Sequence, residues 1–244
     1  MRLIPYKMGS RSAKALAAEL GIKRARPNGN FRNNFRHKIL NWGNSMPFQF
    51  PSRWGVLNHP DAVRLSACKL KSFRSFQEHG VPTPLWTTDK QEAEAFSFRG
   101  FTVFARHLLS GRSGQGITVV QPGQPMPDAP LYTVMFKKVT EYRVHSTATK
   151  VFDFQAKLKR RGQDADEYIH NYDNGRVFCR NGIELPQSAA DASILAVAAL
   201  GLDFGAVDVG VDEEGKAAVF EVNSAPSLQG TTLKSYANMI RGLR

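Results

Sequence analysis

The chain has 244 residues, 42% hydrophobic and 22% charged, so it can bury a core of useful size, and no apolar run approaches the roughly 20 residues of a membrane span. Two widely separated cysteines and a start without the apolar core of a signal peptide argue against a disulfide framework or a zinc site and predict a cytoplasmic protein. Thirty-three Lys and Arg against 21 Asp and Glu give a net charge of +12. Such a field attracts nucleic acid, nucleotides, or acidic peptides and metabolites, without choosing among them.

The N-terminal part alternates short regular elements with an irregular basic stretch. Residues 10–20 have an amphipathic helical period, with Ser10 as a candidate N-cap and Gly21 just past the end. Residues 23–38, KRARPNGNFRNNFRHK, predict an irregular basic segment because they are rich in Arg, Asn and Gly. Residues 39–45, ILNWGNS, predict a short strand that runs into a loop.

Residues 58–80 predict one further helix before the strand-rich part of the chain. Asn58 is a plausible cap, and Pro60 and Asp61 suit a first turn. The helical period continues to Gly80, and the following VPTP ends the helix because proline cannot continue it.

The stretch FGAVDVGVDEEGKAAVFEVN, residues 204–223, predicts a β-hairpin with one polar face. Valines alternate with Asp208 in the first strand, so the valines face a core and Asp208 faces away. In the second strand the same period points Phe220 and Val222 to the core. The opposite face then holds Val219, Glu221 and Asn223.

The hairpin also predicts a metal site. A four-residue loop from Glu213 to Lys216 would set Asp208 directly opposite Glu221, with Asn223 beside them. Carboxylates facing each other across two strands repel, and a divalent cation removes that penalty. Mg²⁺ prefers oxygen ligands and binds between carboxylates and substrate phosphates. The alternative is that these are ordinary solvated strand residues.

Two more features suggest phosphate binding. The segment SGRSGQG, residues 110–116, joins two strands, and its glycines allow backbone N–H groups to turn toward one anion, with Arg106 beside it. It does not match the P-loop pattern, and a glycine-rich hairpin is the plainer interpretation. Cations also share one face of two later strands, which a solvated sheet would equally explain; these polar faces hold Glu141, Arg143, His145, Gln155, Lys157 and Lys159.

Taken together, these segments resemble the ATP-grasp superfamily. The order strand–glycine loop–strand, VMFKKVTEYRVH, KLKRR…IHNYDNGRVF, AVDVGV and FEVNSAPSLQG is similar to the carboxylate–amine ligases related to ribosomal protein S6 glutamate ligase and glutathione synthetase. The resemblance covers roughly residues 58–240. It implies an α+β ATP-grasp fold over residues 58–244, with two α+β lobes clamping ATP, after a truncated Rossmann-like segment at 1–57.

The resemblance also implies roles for individual residues. Mg²⁺ ions, replaceable by Mn²⁺, would be held on ATP by Asp208, Glu221 and Asn223. Glu141 would bind the ribose hydroxyls, and the backbone of Met135 and Phe136 would meet the adenine edge. The phosphates would lie under the glycine loop, beside Arg106 in the place of the usual lysine; the loop residues are Gly111, Ser113, Gly114 and Gly116. Near the transferred phosphate and the substrate carboxylate would lie Arg143, Asn171 and Lys157, the last as a base or a phosphate contact.

The activity that follows is ATP-dependent ligation of a carboxylate to an amine through an acyl phosphate, with release of ADP and phosphate. The basic composition favours an acidic substrate, such as a peptide or an acidic amino acid. The alternative is a nucleic-acid-binding protein, in which Phe31 and Phe35 of the 23–38 segment stack on bases between cations. That alternative gives no role to Asp208, Glu221 and Asn223.

Overall fold

The computed structural model of the protein describes residues 1–26, 38–48, 55–110, 115–160, 168 and 175–243. In these ranges the chain forms three sheets and six α-helices. The helices are α1 (Arg11–Glu19), α2 (Pro60–Ala67), α3 (Lys69–Glu78), α4 (Lys90–Phe98), α5 (Gln187–Ala199) and α6 (Gly230–Gly242). None of them has the length and apolar character needed to cross a membrane.

The first sheet is parallel and has the strand order β2-β1-β3-β4. Its strands are β1 (Arg2–Pro5), β2 (Lys23–Arg24), β3 (Ile39–Trp42) and β4 (Val56–Leu57). The predicted helix at 10–20 and the strand at 39–45 are confirmed. The Ser10 hydroxyl accepts the Ala13 amide at 3.2 Å and thereby satisfies one of the free N–H groups at the start of α1.

The second sheet is antiparallel and small, and α4 packs against it. Its strands, in the order β5-β8-β6-β7, are β5 (Trp86–Thr87), β6 (Val103–Arg106), β7 (Ile117–Val120) and β8 (Leu131–Val134). The predicted glycine loop lies between β6 and β7, and its residues 111–114 lie outside the described part of the chain.

The third sheet is antiparallel, with the order β11-β10-β9-β12-β13. Its strands are β9 (Thr140–Thr147), β10 (Val151–Lys159), β11 (Arg176–Cys179), β12 (Phe204–Val211) and β13 (Ala217–Asn223). One face is apolar and packs under α5, where Val144, Val207 and Val209 meet Ala196 and Val197. The predicted alternation in β9, β10 and β12 is confirmed, so the opposite face of the sheet carries the polar side chains.

The core of the first sheet is completed by α6, which comes from the other end of the chain. Leu3, Leu16 and Trp42 pack against Tyr236 and Ile240, all with essentially no exposed surface. The Trp42 and Tyr236 rings meet edge to face with centroids 5.4 Å apart, a favoured aromatic geometry. The division of the chain at residues 57/58 stays a prediction.

The predicted helix over 58–80 is wrong in two respects. It is broken at Cys68, whose backbone is extended (φ −108°, ψ 110°), and the Lys69 amide donates to the Leu109 carbonyl at 2.8 Å. Asn58 is not the cap: it is buried with φ 58° and its side chain donates to the Phe204 carbonyl. The Nδ1 atom of His59 instead accepts the Asp61 amide.

The 204–223 hairpin has the predicted pair but not the predicted faces throughout. Asp208 pairs directly with Glu221, as expected, but Val209 pairs with Val219, so Phe220 is the extra residue of a β-bulge. The bulge reverses the faces to which the side chains of the two residues before Glu221 point. Val219 is fully buried in the core under α5, and Phe220 lies in the cleft described below, so their predicted orientations are wrong.

Candidate functional site

The polar face of the third sheet, the second sheet and the loops after β1 and β3 enclose a cleft of about 1390 Å³. The second sheet contributes Phe104 and Arg106, and the first contributes Tyr6 and Asn44 at the carboxyl ends of parallel strands. The third sheet supplies the charged floor. All the predicted site residues that the structure describes line this cleft, except Gly116.

The predicted metal ligands lie together on β12 and β13. Asp208 is buried and directly opposite Glu221, and the Asn223 Nδ2 atom donates to Glu221 Oε1 at 3.0 Å. The other Glu221 oxygen accepts from Lys69 Nζ at 2.8 Å. Burial alone would raise the pKa of Glu221, but Lys69 outweighs it and the pKa lies below its ordinary value. Glu221 is therefore an anion facing the cleft.

Asp208 is held by two cations from neighbouring strands. Arg143 donates from Nε and Nη2 to both carboxylate oxygens at 2.8 Å, a bidentate pair. Lys157 Nζ donates to the same carboxylate at 2.8 Å. Burial would raise the pKa of Asp208, but these two cations hold it well below its ordinary range. Asp208 is therefore an anion at neutral pH.

Lys157 also links Asp208 to Glu141, with which it forms a short hydrogen bond. The second Glu141 oxygen lies 3.3 Å from Lys138 Nζ. Burial lowers the pKa of Lys157, but the two carboxylates outweigh this effect and raise it. A lysine with a raised pKa keeps its proton near neutral pH. Whether Lys157 serves as a base or as a phosphate contact stays a prediction.

The second sheet places its predicted residues on the opposite wall. Arg106 is half-buried there, and its Nε donates to the Thr133 hydroxyl at 3.1 Å. Met135 and Phe136 both line the cleft, although the Met135 amide already donates to the Thr102 carbonyl at 2.8 Å. Gly116 has φ 69°, so a side chain there would be strained. The remaining predicted residues lie outside the described part of the chain: Gly111, Ser113, Gly114 and Asn171.

Two lysines of the cleft were missed in the sequence. Lys69 is the first residue of α3 and reaches Glu221 only because the helix restarts at Cys68. Lys138 lies before β9, with its ammonium 5.1 Å from the centre of the Phe220 ring. Burial lowers the pKa of Lys138, and Glu141 opposes this effect. The cation–π contact forms only because the bulge turns Phe220 into the cleft, and a strict two-residue period could not predict this.

The donor atoms suit a magnesium ion. Two carboxylates and one amide oxygen share a strand face at the cleft, and hard oxygen donors are what Mg²⁺ takes. No group of three His, Cys, Asp or Glu side chains able to hold a metal occurs among the described residues. Lysine and arginine neutralise the carboxylates here, and an ion would take over part of that function.

A buried histidine under the cleft floor gives a testable pH dependence. His145 is 1% exposed and its Nδ1 lies 3.0 Å from the Tyr236 hydroxyl. Burial, followed by the charges of Arg143 and Arg180, lowers the pKa of His145 to about 3. His145 in the unfolded chain therefore binds a proton as the pH falls through about 6.5, whereas His145 in the folded chain does not.

We expect the free energy of unfolding to fall by about 2 kcal/mol between pH 7 and pH 5 because of His145. Urea denaturation at the two pH values measures this, and His145→Gln should remove most of the loss. His79→Gln, an exposed histidine at the end of α3, is the matched control and should keep it. An unchanged pH dependence in His145→Gln would contradict the assignment.

Comparison with known proteins identifies the fold. No protein-family model matches the sequence, and no curated protein is significantly similar to it. The structure is similar to the ATP-grasp ligase PsnB in complex with a variant of its minimal precursor, Mg and ADP, with a TM-score of 0.70 at 10% identity, over 99% of this chain and 97% of that one. It is also similar to D-alanine–D-alanine ligase from Bacillus anthracis (TM-score 0.62, 15% identity, 100% and 93% coverage).

A third similar structure is the macrocyclase MdnC from Microcystis aeruginosa, bound with precursor peptide MdnA (TM-score 0.60, 14% identity, 98% of both chains). Each match extends over nearly the whole of this chain. The chain therefore has the α+β ATP-grasp fold, and the fold expected from the sequence is confirmed.

Proposed function

We propose that the protein is an ATP- and Mg²⁺-dependent ligase that joins a carboxylate to an amine through an acyl phosphate. The observation that carries the proposal is the Asp208–Glu221 pair, matched in register and set among cations in the cleft of an ATP-grasp fold. Two solved structures of PsnB hold Mg and ADP, which supports the same ligands here. The cations that face the cleft are Lys69, Arg106, Lys138, Arg143 and Lys157.

Magnesium, replaceable by manganese, would be held by Asp208, Glu221 and Asn223. The ion supplies charge neutralisation for the phosphates of ATP. Asp208 already has both oxygens bound by Arg143 and Lys157, so to hold an ion it would have to share or exchange these partners. The two released cations would lie at the floor of the cleft, where the transferred phosphoryl group needs positive charge.

The other residues bind and orient. Arg106 faces the phosphates from the second sheet, and Met135 and Phe136 line the place for the adenine. Glu141 is buried between two lysines, so we assign it to positioning Lys157, and its contact with the ribose stays a prediction. The contacts of Asn171 and of the glycine loop stay predictions as well.

The reaction needs no protein nucleophile. A substrate carboxylate oxygen attacks the γ-phosphorus of ATP, the bond to the bridging oxygen breaks, and ADP leaves. The amine then attacks the acyl carbon, the bond to phosphate breaks, and the amine proton goes to solvent or to the phosphate. Arg143 and Lys157 keep their charge throughout, and positioning with charge neutralisation supplies the catalysis.

The substrate pair is proposed only by class. PsnB and MdnC were solved with precursor peptides, which supports a peptide as one substrate here. A net charge of +12 favours an acidic one. The experiment is a screen for release of ADP and phosphate across acidic peptides and amino acids, each paired with candidate amines.

Removal of the metal should abolish this activity. We expect ADP release to fall to background when EDTA exceeds the divalent cation, because the phosphates then lack the divalent ion that neutralises their charge. Added Mg²⁺ or Mn²⁺ should restore it, and the unfolding curve should hardly change, since the lysine and arginine partners remain. ADP release that persists in excess EDTA would contradict the proposal.

A further inference from the structure

The positive charge of the protein is concentrated in one part of the chain. Residues 1–48 hold ten Lys or Arg and one acidic residue, Glu19, whereas residues 49–244 hold 23 Lys or Arg and 20 Asp or Glu. The net charge of +12 is therefore largely carried by residues 1–48. The Glu19 backbone carbonyl accepts a hydrogen bond from Arg241 of α6.

Part of this charge lies on side chains of the loop after β1, of α1 and of β2. We call Lys7, Arg11, Lys14, Lys23 and Arg24 the cationic face; all but the half-buried Arg24 are exposed. Arg24 donates to the Met8 carbonyl at 2.6 Å, which joins β2 to the loop after β1. Within the described residues, none of these cations forms an ion pair with a carboxylate.

The cationic face adjoins the mouth of the cleft. Lys7 lies with its ammonium 5.4 Å from the centre of the Tyr6 ring, and Tyr6 lines the cleft. Arg11 precedes Ser12, which also lines the cleft and accepts from the Trp42 indole at 3.2 Å. Two cations of the face are therefore direct neighbours in sequence of residues that line the cleft.

Two of these cations lie near the N-terminus of α1, where a positive charge destabilises the helix. Arg11 is the first residue of α1 and Lys14 follows one turn later, and the first turn contains no acidic residue. Positive side chains near a helix N-terminus interact unfavourably with the helix dipole. The buried side of α1 is formed by Ala13, Leu16 and Ala17, so neither cation contributes to the core. The two cations therefore do not stabilise the fold, and their position favours the binding of an external anion.

We infer that the cationic face binds an acidic polypeptide segment of the substrate and leads it into the cleft. The inference rests on the proposed function, since a polypeptide that enters this cleft must present a carboxylate or an amine there. Nucleic acid fits less well because single-stranded binding also uses exposed aromatic side chains. Tyr6, Trp42 and Phe48 are half-buried or buried, and no aromatic side chain is exposed in residues 1–26 and 38–48. Phe31 and Phe35, on which the nucleic-acid alternative rests, lie outside the described part of the chain.

The test measures binding without turnover. A fluorescein-labelled oligoglutamate peptide is titrated with the protein and followed by anisotropy, with an oligoglutamine peptide and an oligouridine RNA of the same length as comparisons. We expect binding of oligoglutamate alone, weakening from low to physiological salt because exposed charge contacts are screened. Removal of three cations, Lys7→Ser, Arg11→Ser and Lys14→Ser together, should weaken it about tenfold.

A matched control removes three exposed cations elsewhere, namely Lys71→Ser, Arg74→Ser and Arg99→Ser on α3 and at the end of α4. This variant should bind oligoglutamate within about twofold of the unchanged protein. Equal weakening in both variants, absence of oligoglutamate binding, or tighter binding of the RNA would each overturn the inference. ATP binding is measured separately on the same samples: its absence beside normal peptide binding would refute the proposed ligase and leave the cationic face intact.

Discussion

Glu221→Gln should lower ADP release by at least about a hundredfold while the protein stays folded. The substitution keeps the size of the side chain and removes the charge that faces the cleft beside Asp208. Lys69 loses its carboxylate partner, but that pair lies at the cleft surface with the Glu221 side chain 36% exposed, so its contribution to stability is small. The effect therefore falls on metal and nucleotide binding.

The measurement is ADP release with saturating ATP, together with titration of Mn²⁺ in the presence of nucleotide. Glu213→Gln is the matched control, because it is the same chemical change at an exposed position in the β12–β13 loop. It should leave ADP release unchanged. A folded Glu221→Gln protein that releases ADP at the normal rate would contradict the assignment of the cleft as the site of metal and nucleotide binding.

Lys157→Met should lower the free energy of unfolding by about 3–5 kcal/mol. The Lys157 side chain is 4% exposed and its ammonium lies between the carboxylates of Glu141 and Asp208. Methionine fills much of the same space, so the loss is chiefly electrostatic: two buried anions lose the cation that they share. Lys138 and Arg143 remain, and each neutralises only one of them.

Urea denaturation at pH 7 measures this effect, with Lys159→Met as the control on the exposed end of the same strand. The control should change the unfolding free energy by less than about 0.5 kcal/mol. The deficit of Lys157→Met should also shrink at lower pH, because a proton can replace the missing charge between the carboxylates. Equal stability of the two variants at pH 7 would show that the buried network is not what holds the floor of the cleft.

Alternation of side chains predicted most of the cleft floor. A strand repeats every two residues, so Glu141, Arg143 and Lys157 could be placed on one face, and a hairpin of known loop length sets Asp208 opposite Glu221. These relations are local in the sequence, and each depends on a single periodicity.

The parts that could not be predicted depend on interruptions of such a period. The bulge at Phe220 inserts one residue into β13, and the break at Cys68 divides a helix whose apolar period continues across it. Both arise from packing against distant segments: the Lys69 amide bonds the Leu109 carbonyl, and the Val219 amide bonds the Pro82 carbonyl. Contacts of this kind, such as that between Lys69 and Glu221, have no characteristic spacing in the sequence, so they could not be predicted from it.

The packing of α6 against the first sheet bears on the order in which the protein acquires its structure. Leu3, Leu16 and Trp42 are synthesised before Tyr236 and Ile240, which cover their apolar surface from more than 190 positions later in the chain. Contacts of such long sequence separation form slowly, because the intervening loop must close first. The apolar surface of the first sheet is thus among the last to reach its native packing during synthesis, and until then chaperones can bind it.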